Sequence, residues 1–524
     1  MSASLPFLAP LALLLASFIA HNSPGVRPRR ALTASRWAAV AALTVALASV
    51  LAEIHSGVFQ SPLLGVAGLG LSVRLDAVSG ALFVLVAFIG LIVVQFSRAY
   101  LDGDARQGAF FGNLCLTLAS VMLLVLAGNL FQLLLGWVAT SAALHRLLLF
   151  YSQRTAAQRA ARKKYLTSRL SDIFLLGGAW LVGNAFGTAD IGAILDQARA
   201  LRLDGAAVPP AVVIGAFCLA VAALLKSAQF PAHGWLPEVM ETPTPVSALL
   251  HAGIINAGGF LIIRFADVMM LSAGAMHLLA LIGGFTALFG ATVMLTQTSV
   301  KVSLAWSTVA QMGFMMLQCG LGVFYIAVLH IVAHSLYKAH AFLSSGSVIE
   351  IARASWVPTV QGPLKRVQVL TGLVCAVVIY AAVAWAFDRN PVDDPAVLTL
   401  GAILVLGLTQ LIARGVDLHP SFDVLGRTLA AAFAATVAYF FLTGAAAALL
   451  FPALPAPPQP GPVGTALMIL AFVSFALLSV LQIVMPGRAR GPWWQRAYVH
   501  AANGFYVNAL FDRLIGEIPK RGRA

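Results

Sequence analysis

Apolar runs of about 20 residues recur along the whole chain, and this feature most constrains how it can fold. Of its 524 residues, 60% are hydrophobic and only 10% are charged, whereas a soluble domain carries about 25% charged residues. A helix of about 20 residues crosses the hydrocarbon core of a bilayer. The pattern therefore predicts an all-α polytopic membrane protein.

The apolar runs predict about fifteen transmembrane helices. Between them lies no segment long enough to form a soluble domain with an active site. The predicted spans are 5–21, 37–54, 76–97, 110–127, 130–151, 166–186, 208–229, 244–265, 274–296, 301–320, 322–349, 367–387, 395–414, 426–450 and 465–485.

The formal net charge of +14 is concentrated in every second loop. Basic loops on one side of the spans follow the positive-inside rule of membrane proteins, which argues against a nucleic-acid partner. The rule places the N-terminus outside and the C-terminus in the cytoplasm. The polar C-terminal tail is expected to lie on the membrane surface. The basic loops are 22–36, 98–109, 152–165, 350–366 and 486–524.

A lysine at the end of the seventh apolar run is the first functional candidate. Lys226 is followed by Pro231, Glu238 and Glu241. Either the span ends near Gln229 and the lysine reaches the interface, or Pro231 interrupts it and a short half-helix continues to about residue 240. An ionisable group within a membrane helix is a functional hypothesis by default, and the proline favours the second alternative.

Three ionisable residues follow one another at helical spacing in the eleventh run. His330, His334 and Lys338 are spaced i, i+4 and i+8, which places them on one helix face. Aligned groups of this kind can pass protons through intervening water, and we favour this interpretation over purely structural burial. His251 in the eighth span is a further possible relay when considered together with Lys226.

The remaining candidates are weaker. Lys301 begins the tenth span, where a lysine that extends its amine to the membrane interface would also be expected. Asp172 lies one turn after Arg169, which predicts an ion pair. His145 is an unusual ionisable residue in the apolar fifth span.

Soluble-enzyme motifs are absent from the sequence, which has no GxxxxGK[ST], no HExxH and no dinucleotide-binding glycine motif. The four cysteines lie in apolar runs without a CxxC pair, which favours core packing. The chain is therefore expected to carry no catalytic residue, cofactor or metal of its own.

Three segments, 226–260, 299–320 and 330–348, together resemble the antiporter-like subunits of respiratory complex I and the Mrp antiporters. The resemblance implies two inverted five-helix repeats and at least one broken helix, which carries Lys226. It also implies four regions: N-terminal transmembrane helices at 1–109, a conducting antiporter-like core at 110–350, divergent helices at 351–485 and a basic cytoplasmic tail at 486–524. The implied proton or cation path contains Lys226, His251, His330, His334, Lys338, Lys301, Glu238, Glu241, Asp172 and His145.

The sequence departs from that family at two positions. Val138 follows Trp137 where the family has a glutamate that pairs with the lysine, and 367–414 lacks the lysine of the second broken helix. His145 lies two turns from Val138 and is a candidate replacement for the carboxylate. With these departures, and without a predicted lateral C-terminal helix, the chain most resembles the DabB family, the membrane subunits of inorganic-carbon accumulation complexes.

This resemblance implies a multi-pass protein of the bacterial inner membrane that conducts protons or sodium ions. The flux would energise conversion of carbon dioxide to bicarbonate by a large DabA-like partner, which is expected to hold zinc and to resemble carbonic anhydrases. The alternatives are a proton-pumping subunit of a complex I type or hydrogenase-linked redox complex, and a non-conducting membrane anchor.

Overall fold

The computed structural model describes residues 5–23, 25–66, 68–346, 364–388, 394–415, 422–488 and 491–515. Most of the predicted loops 350–366 and 388–395, and residues 516–524 of the tail, lie outside these ranges. The α-helices are α1 (Leu8–His21), α2 (Arg29–Ser56), α3 (Ala77–Tyr100), α4 (Gln107–Val125), α5 (Leu130–Leu148), α6 (Thr155–Phe186), α7 (Ile191–Leu203), α8 (Pro210–Lys226), α9 (Trp235–Glu238), α10 (Thr244–Ala252), α11 (Ala257–Arg264), α12 (Ala266–Met269), α13 (Ala273–Met294), α14 (Val300–Gly320), α15 (Phe324–Leu343), α16 (Arg366–Ala386), α17 (Pro395–Gly415), α18 (Phe422–Leu450), α19 (Pro462–Arg488), α20 (Pro492–Ala502) and α21 (Val507–Ile515).

Within the described residues, ten helical segments are long and apolar enough to cross a membrane. They are α2, α3, α4, the segment formed by α10 and α11, α13, α15, α16, α17, α18 and α19. The multi-pass membrane fold is thus confirmed. Helices also occupy the other predicted spans, but the count of fifteen crossings, the inverted repeats, the four regions and the orientation of the termini stay predictions.

A small β-structure between α2 and α3 departs from the all-α prediction. Strand β1 (Phe59–Gln60) pairs with β4 (Arg74–Leu75), and β2 (Leu64–Val66) pairs with β3 (Leu69–Leu71), both antiparallel. The next residue, Asp76, caps α3 by accepting a hydrogen bond from the Ser79 backbone. Its carboxylate also binds Arg264 at 2.5 Å. This buried pair ties the start of α3 to the end of α11.

The seventh predicted span is interrupted, as the second alternative proposes. Helix α8 ends at Lys226, Ala228 has a left-handed φ of 50°, and helical turns resume with a 3₁₀ segment at Ala232–Gly234. Proline cannot supply the backbone N–H that a continuous helix needs. The eighth span is also broken, at the 3₁₀ segment Ile254–Asn256, a break that the apolar pattern did not predict.

The structure corrects the predicted basic loop 152–165. Helix α6 begins at Thr155 rather than at 166, so Lys163 and Lys164 lie in a helix and are buried instead of belonging to a basic loop. Helix α21 of the C-terminal tail contacts α6, because the Asp512 carboxylate lies 2.6 Å from Lys163 Nζ. The position of the tail at the membrane surface stays a prediction.

Small residues let the helices that carry the site approach closely. At the crossing of α13 and α14, a Cβ atom on Gly313 would overlap the backbone nitrogen of Ala287. Such seams of small residues are typical of membrane helix packing. This contact fixes α14, which supplies the hydrogen-bond partners of Lys338.

Candidate proton and cation path

Lys226 lies at the broken end of α8 with its amine buried against α5. Its Nζ donates to the carbonyl oxygen of Trp137 at 3.1 Å and to Ser141 Oγ at 2.5 Å, and lies 4.2 Å from the centre of the Trp137 ring. The last turn of a helix favours a cation, because its free carbonyls carry partial negative charge. These contacts hold the amine inside the protein rather than at its surface.

A second buried lysine, which the sequence pattern had placed in a loop, reaches the same place. Lys164 Nζ donates to the carbonyl oxygen of Ser141 at 2.8 Å. The available sequence signal was that Lys164 precedes the Arg169–Asp172 pair without a helix-breaking residue. Helix α6 therefore contributes an amine beside Lys226.

Asp172 is the carboxylate that faces this cluster. Its Oδ2 atom lies 2.8 Å from Arg169 Nη2, so the predicted ion pair is present. Asp172 also interacts electrostatically with Lys226 and Lys164. Ser171, the preceding residue, donates to the Ala222 carbonyl at 2.8 Å and anchors α6 to α8. A carboxylate on α6 thus faces Lys226, while Val138 occupies the position of the family glutamate.

His145 lies near Lys164, Arg169 and Tyr165. It is half-buried, with its ring centre 5.6 Å from that of Tyr165, and it interacts electrostatically with Lys164 and Arg169. It also lines an open groove of about 370 Å³ with Leu149, Gln158, Ala161, Arg162 and Tyr165. The carboxylate that interacts electrostatically with Lys226 is that of Asp172, and the replacement of the family glutamate by His145 stays a prediction.

The two glutamates after Pro231 belong to other ion pairs. Glu238 Oε1 accepts from Lys163 Nζ at 2.7 Å and also contacts Asn508 of α21. Glu241 is exposed and pairs with Arg154 at 3.1 Å. Neither carboxylate is brought to Lys226, so Glu238 and Glu241 link the broken segment to α6 and α21.

A second polar cluster forms where α10, α14 and α15 meet. His251 Nδ1 lies 3.0 Å from Thr308 Oγ1, and its ring stacks on Phe342 at 4.3 Å. Lys338 Nζ donates to Ser307 Oγ at 2.7 Å and to the Leu304 carbonyl at 3.0 Å. Helix α14 thus supplies partners for both predicted residues.

The two histidines of α15 continue this cluster. The rings of His330 and His334 are 5.9 Å apart, and His334 interacts electrostatically with Lys338 and His251. Within the described residues, Nε2 of His251, His330 and His334 has no protein partner. Lys301 lies to one side, where its Nζ donates to Thr244 Oγ1 at 3.0 Å. The predicted stripe of three groups on one helix face is therefore present.

A cavity of about 40 Å³ lies between the two clusters. Thr140, next to Ser141, and Asn256, whose amide donates to Ser335 Oγ at 2.9 Å, both line it. The buried oxygens Thr140 Oγ1 and Asn256 Oδ1 have no partner among the described residues. A water needs roughly 10–15 Å³ of such space and two to four polar partners. The cavity is large enough for one water molecule, but its lining is almost wholly apolar and Thr140 and Asn256 are its polar side chains.

Comparison with known proteins identifies the family. Residues 127–386 match the NADH:quinone oxidoreductase/Mrp antiporter transmembrane family, and residues 65–111 match the N-terminal family of complex I chain 5. A probable inorganic carbon transporter subunit of Halothiobacillus neapolitanus, DabB2, is 37% identical over 98% of this chain and 95% of its own. The chain belongs to the DabB family.

A second DabB relative agrees with this assignment, and a solved structure shares the antiporter-like fold. The DabB subunit of Hydrogenovibrio crunogenus is 37% identical over 71% of each chain. In a solved structure of the Mrp complex from Dietzia sp., one chain is 25% identical with a TM-score of 0.58, covering 97% of this chain and 58% of its own length. This DabB family member is therefore a transporter-type, antiporter-like membrane subunit.

Proposed function

We propose that this chain is the proton- or cation-conducting membrane subunit of an inorganic-carbon uptake complex. The observation that carries the proposal is the pair of buried lysines, Lys226 and Lys338, whose amines each bind a serine hydroxyl and a backbone carbonyl inside the helix bundle. The DabB2 and DabB relatives are named as inorganic carbon transporter subunits, which supports carbon uptake as the process that the flux serves.

The conducting path proposed here starts at Lys226 and crosses the cavity to His251, Lys338, His334 and His330. Each lysine amine hydrogen-bonds to a serine hydroxyl and a backbone carbonyl, so it can gain or lose a proton without breaking a hydrogen-bonded carboxylate pair. The free Nε2 atoms of the three histidines can accept protons from water. Lys301 and Asp172 flank the path and set its charge.

The partner proposed for this subunit is a large DabA-like protein with a carbonic-anhydrase-like zinc site. Ion flow down the membrane potential would drive one-way conversion of carbon dioxide to bicarbonate at that site. This chain would conduct the ion and the partner would perform catalysis. The assembly would lie in the bacterial inner membrane, with the N-terminus of this chain outside.

A redox-linked proton pump is the second candidate, because both matched families are named for complex I. Against it, Val138 occupies the glutamate position and the described helices α16 and α17 contain no lysine. A neighbouring gene for a large zinc-site protein would support carbon uptake, whereas neighbouring genes for quinone-linked subunits would support the pump.

Bicarbonate accumulation in cells that lack carbonic anhydrase tests the proposal. The chain is co-expressed with its large genomic neighbour as wild type, Lys226→Ala or Lys338→Ala, with and without a protonophore. Loss of accumulation with both mutations and with the protonophore, at normal complex assembly, is the expected result. Unchanged accumulation in the mutants would instead indicate a non-conducting anchor.

A further inference from the structure

Lys164 and Lys226 approach each other at a single residue. Lys164 donates to the carbonyl oxygen of Ser141, and Lys226 donates to the Ser141 hydroxyl. Lys164 is 4% exposed and Lys226 is 6% exposed. Two amines that bind one residue lie close together, so a positive charge on one opposes a positive charge on the other. Water screens this repulsion poorly at buried sites.

The charges around Lys164 and Lys226 favour a state in which one of the two amines is an ammonium and the other is neutral. The charged groups that interact with Lys164 within the described residues are Lys226, Arg169 and Asp172. Arginine keeps its charge in proteins, and Arg169 already pairs with Asp172 at 2.8 Å. The one carboxylate of the cluster is thus matched by a permanent cation, which leaves the two amines to divide the remaining positive charge.

His145 both interacts with Lys164 and lines a groove at the protein surface. The ring of His145 interacts electrostatically with Lys164, and its Nδ1 atom is buried without a partner in the described part of the chain. His145 lines the groove of about 370 Å³ that also contains Gln158 and Tyr165. Water in this groove can therefore exchange protons with His145.

We propose that Lys164 is the proton donor that loads Lys226, and that Lys164 is itself loaded from the groove at His145. This inference rests on the proposed conducting function. In the transfer, one N–H bond breaks on the Lys164 ammonium and one forms on the neutral Lys226 amine. The positive charge moves between the two side chains, and nothing is oxidised or reduced.

Substitutions at Lys164 separate proton exchange from a purely structural role. Methionine removes both the charge and the proton, whereas arginine keeps a fixed charge and its hydrogen bonds but releases no proton. Histidine can bind and release a proton near neutral pH. Arg159, an exposed residue of the same helix, provides the matched control Arg159→Met.

The test is potential-driven proton uptake by vesicles that contain the full chain co-purified with its large partner. Lys164→Met and Lys164→Arg are expected to lower the flux about ten-fold or more, whereas Lys164→His keeps a larger flux than either. Arg159→Met should stay within about two-fold of wild type. A wild-type flux in Lys164→Arg would overturn the inference, because a fixed charge would then suffice.

Lys226→Met separates the proposed conduction from the proposed donor role of Lys164. If Lys226→Met conducts like wild type, the proposed function fails. If Lys226→Met loses flux while Lys164→Met keeps it, only the inference about Lys164 fails. Should Lys164→Met yield no folded complex, the comparison of Lys164→Arg with Lys164→His decides, with the melting temperature of each complex as the folding control.

Discussion

The two lysine clusters, at Lys226 and at Lys338, use polar residues differently from the C-terminal helices α16–α19. The clusters hold the buried amines of Lys164, Lys226 and Lys338, and α5 and α14 supply their hydrogen-bond acceptors. In α17, by contrast, Gln410 donates to Ser479 Oγ and Gln482 Oε1, both at 2.8 Å, and the helix is continuous from Pro395 to Gly415. Neutral amides can join helices but do not carry protons, so the conducting path proposed above runs through the two lysine clusters.

One substitution in a lysine cluster and one in the C-terminal helices test this contrast most directly. Lys338→Met should lower bicarbonate accumulation about ten-fold or more, because it removes a proton-binding group from the path. Gln410→Leu should stay within about two-fold of wild type, because it removes only neutral hydrogen bonds. Accumulation assays at matched protein levels check both, and a larger loss in Gln410→Leu would reverse our assignment.

The ion pairs of Lys163 should contribute most to holding the broken segment and α21 against α6. Lys163 is fully buried, and Glu238 and Asp512 supply its carboxylates. The double variant Glu238→Gln, Asp512→Asn should lower the free energy of unfolding by about 2–3 kcal/mol. Breaking a wholly buried pair costs roughly 3–5 kcal/mol, and the effect here is smaller because both acids are partly exposed.

The matched control for that variant lies in the C-terminal region. Asp423→Asn breaks an exposed pair with Arg427 and should cost about 0–1 kcal/mol. Unfolding of the purified protein measures both effects. Equal costs would mean that α21 does not depend on Lys163.

A glycine-to-alanine substitution should change the free energy of unfolding in opposite directions in the two regions. Gly313→Ala would press a methyl group against α13 and should destabilise the protein by about 1–3 kcal/mol. A methyl group at Gly407 in α17 would meet no atom of another described helix within 4 Å. Gly407→Ala should therefore stabilise by about 0.5–1 kcal/mol. Thermal unfolding of the two variants tests the contrast, which the same sign in both would contradict.

The smallest effect is expected at an exposed pair outside both regions. The Arg27 hydrogen bond lowers the pKa of Asp102 from its ordinary value. Because the folded pKa is depressed, the pair stabilises fully above the unfolded pKa of about 3.9 and loses its effect as pH falls through the lower folded pKa. The melting temperatures of wild type and Asp102→Asn should thus converge on acidification, and divergence would contradict this.

Local spacing explains what the sequence could predict. The stripe of His330, His334 and Lys338 follows from one helix period, and the interruption after Lys226 follows from Pro231. Tertiary contacts explain what it could not predict. Lys163 meets Asn508, which is 345 residues away in the chain, and no local pattern distinguishes such a lysine from a basic loop. The role of Asp172 beside Lys226 likewise depends on how α6 packs against α8.

Potential-driven proton uptake by vesicles containing the complex, with wild type and Lys226→Met measured side by side, tests the central claim most directly. We predict that the wild type acidifies the vesicle interior and that the variant, equally assembled, does so about ten-fold more slowly or not at all. Equal rates in the two proteins would contradict conduction through Lys226.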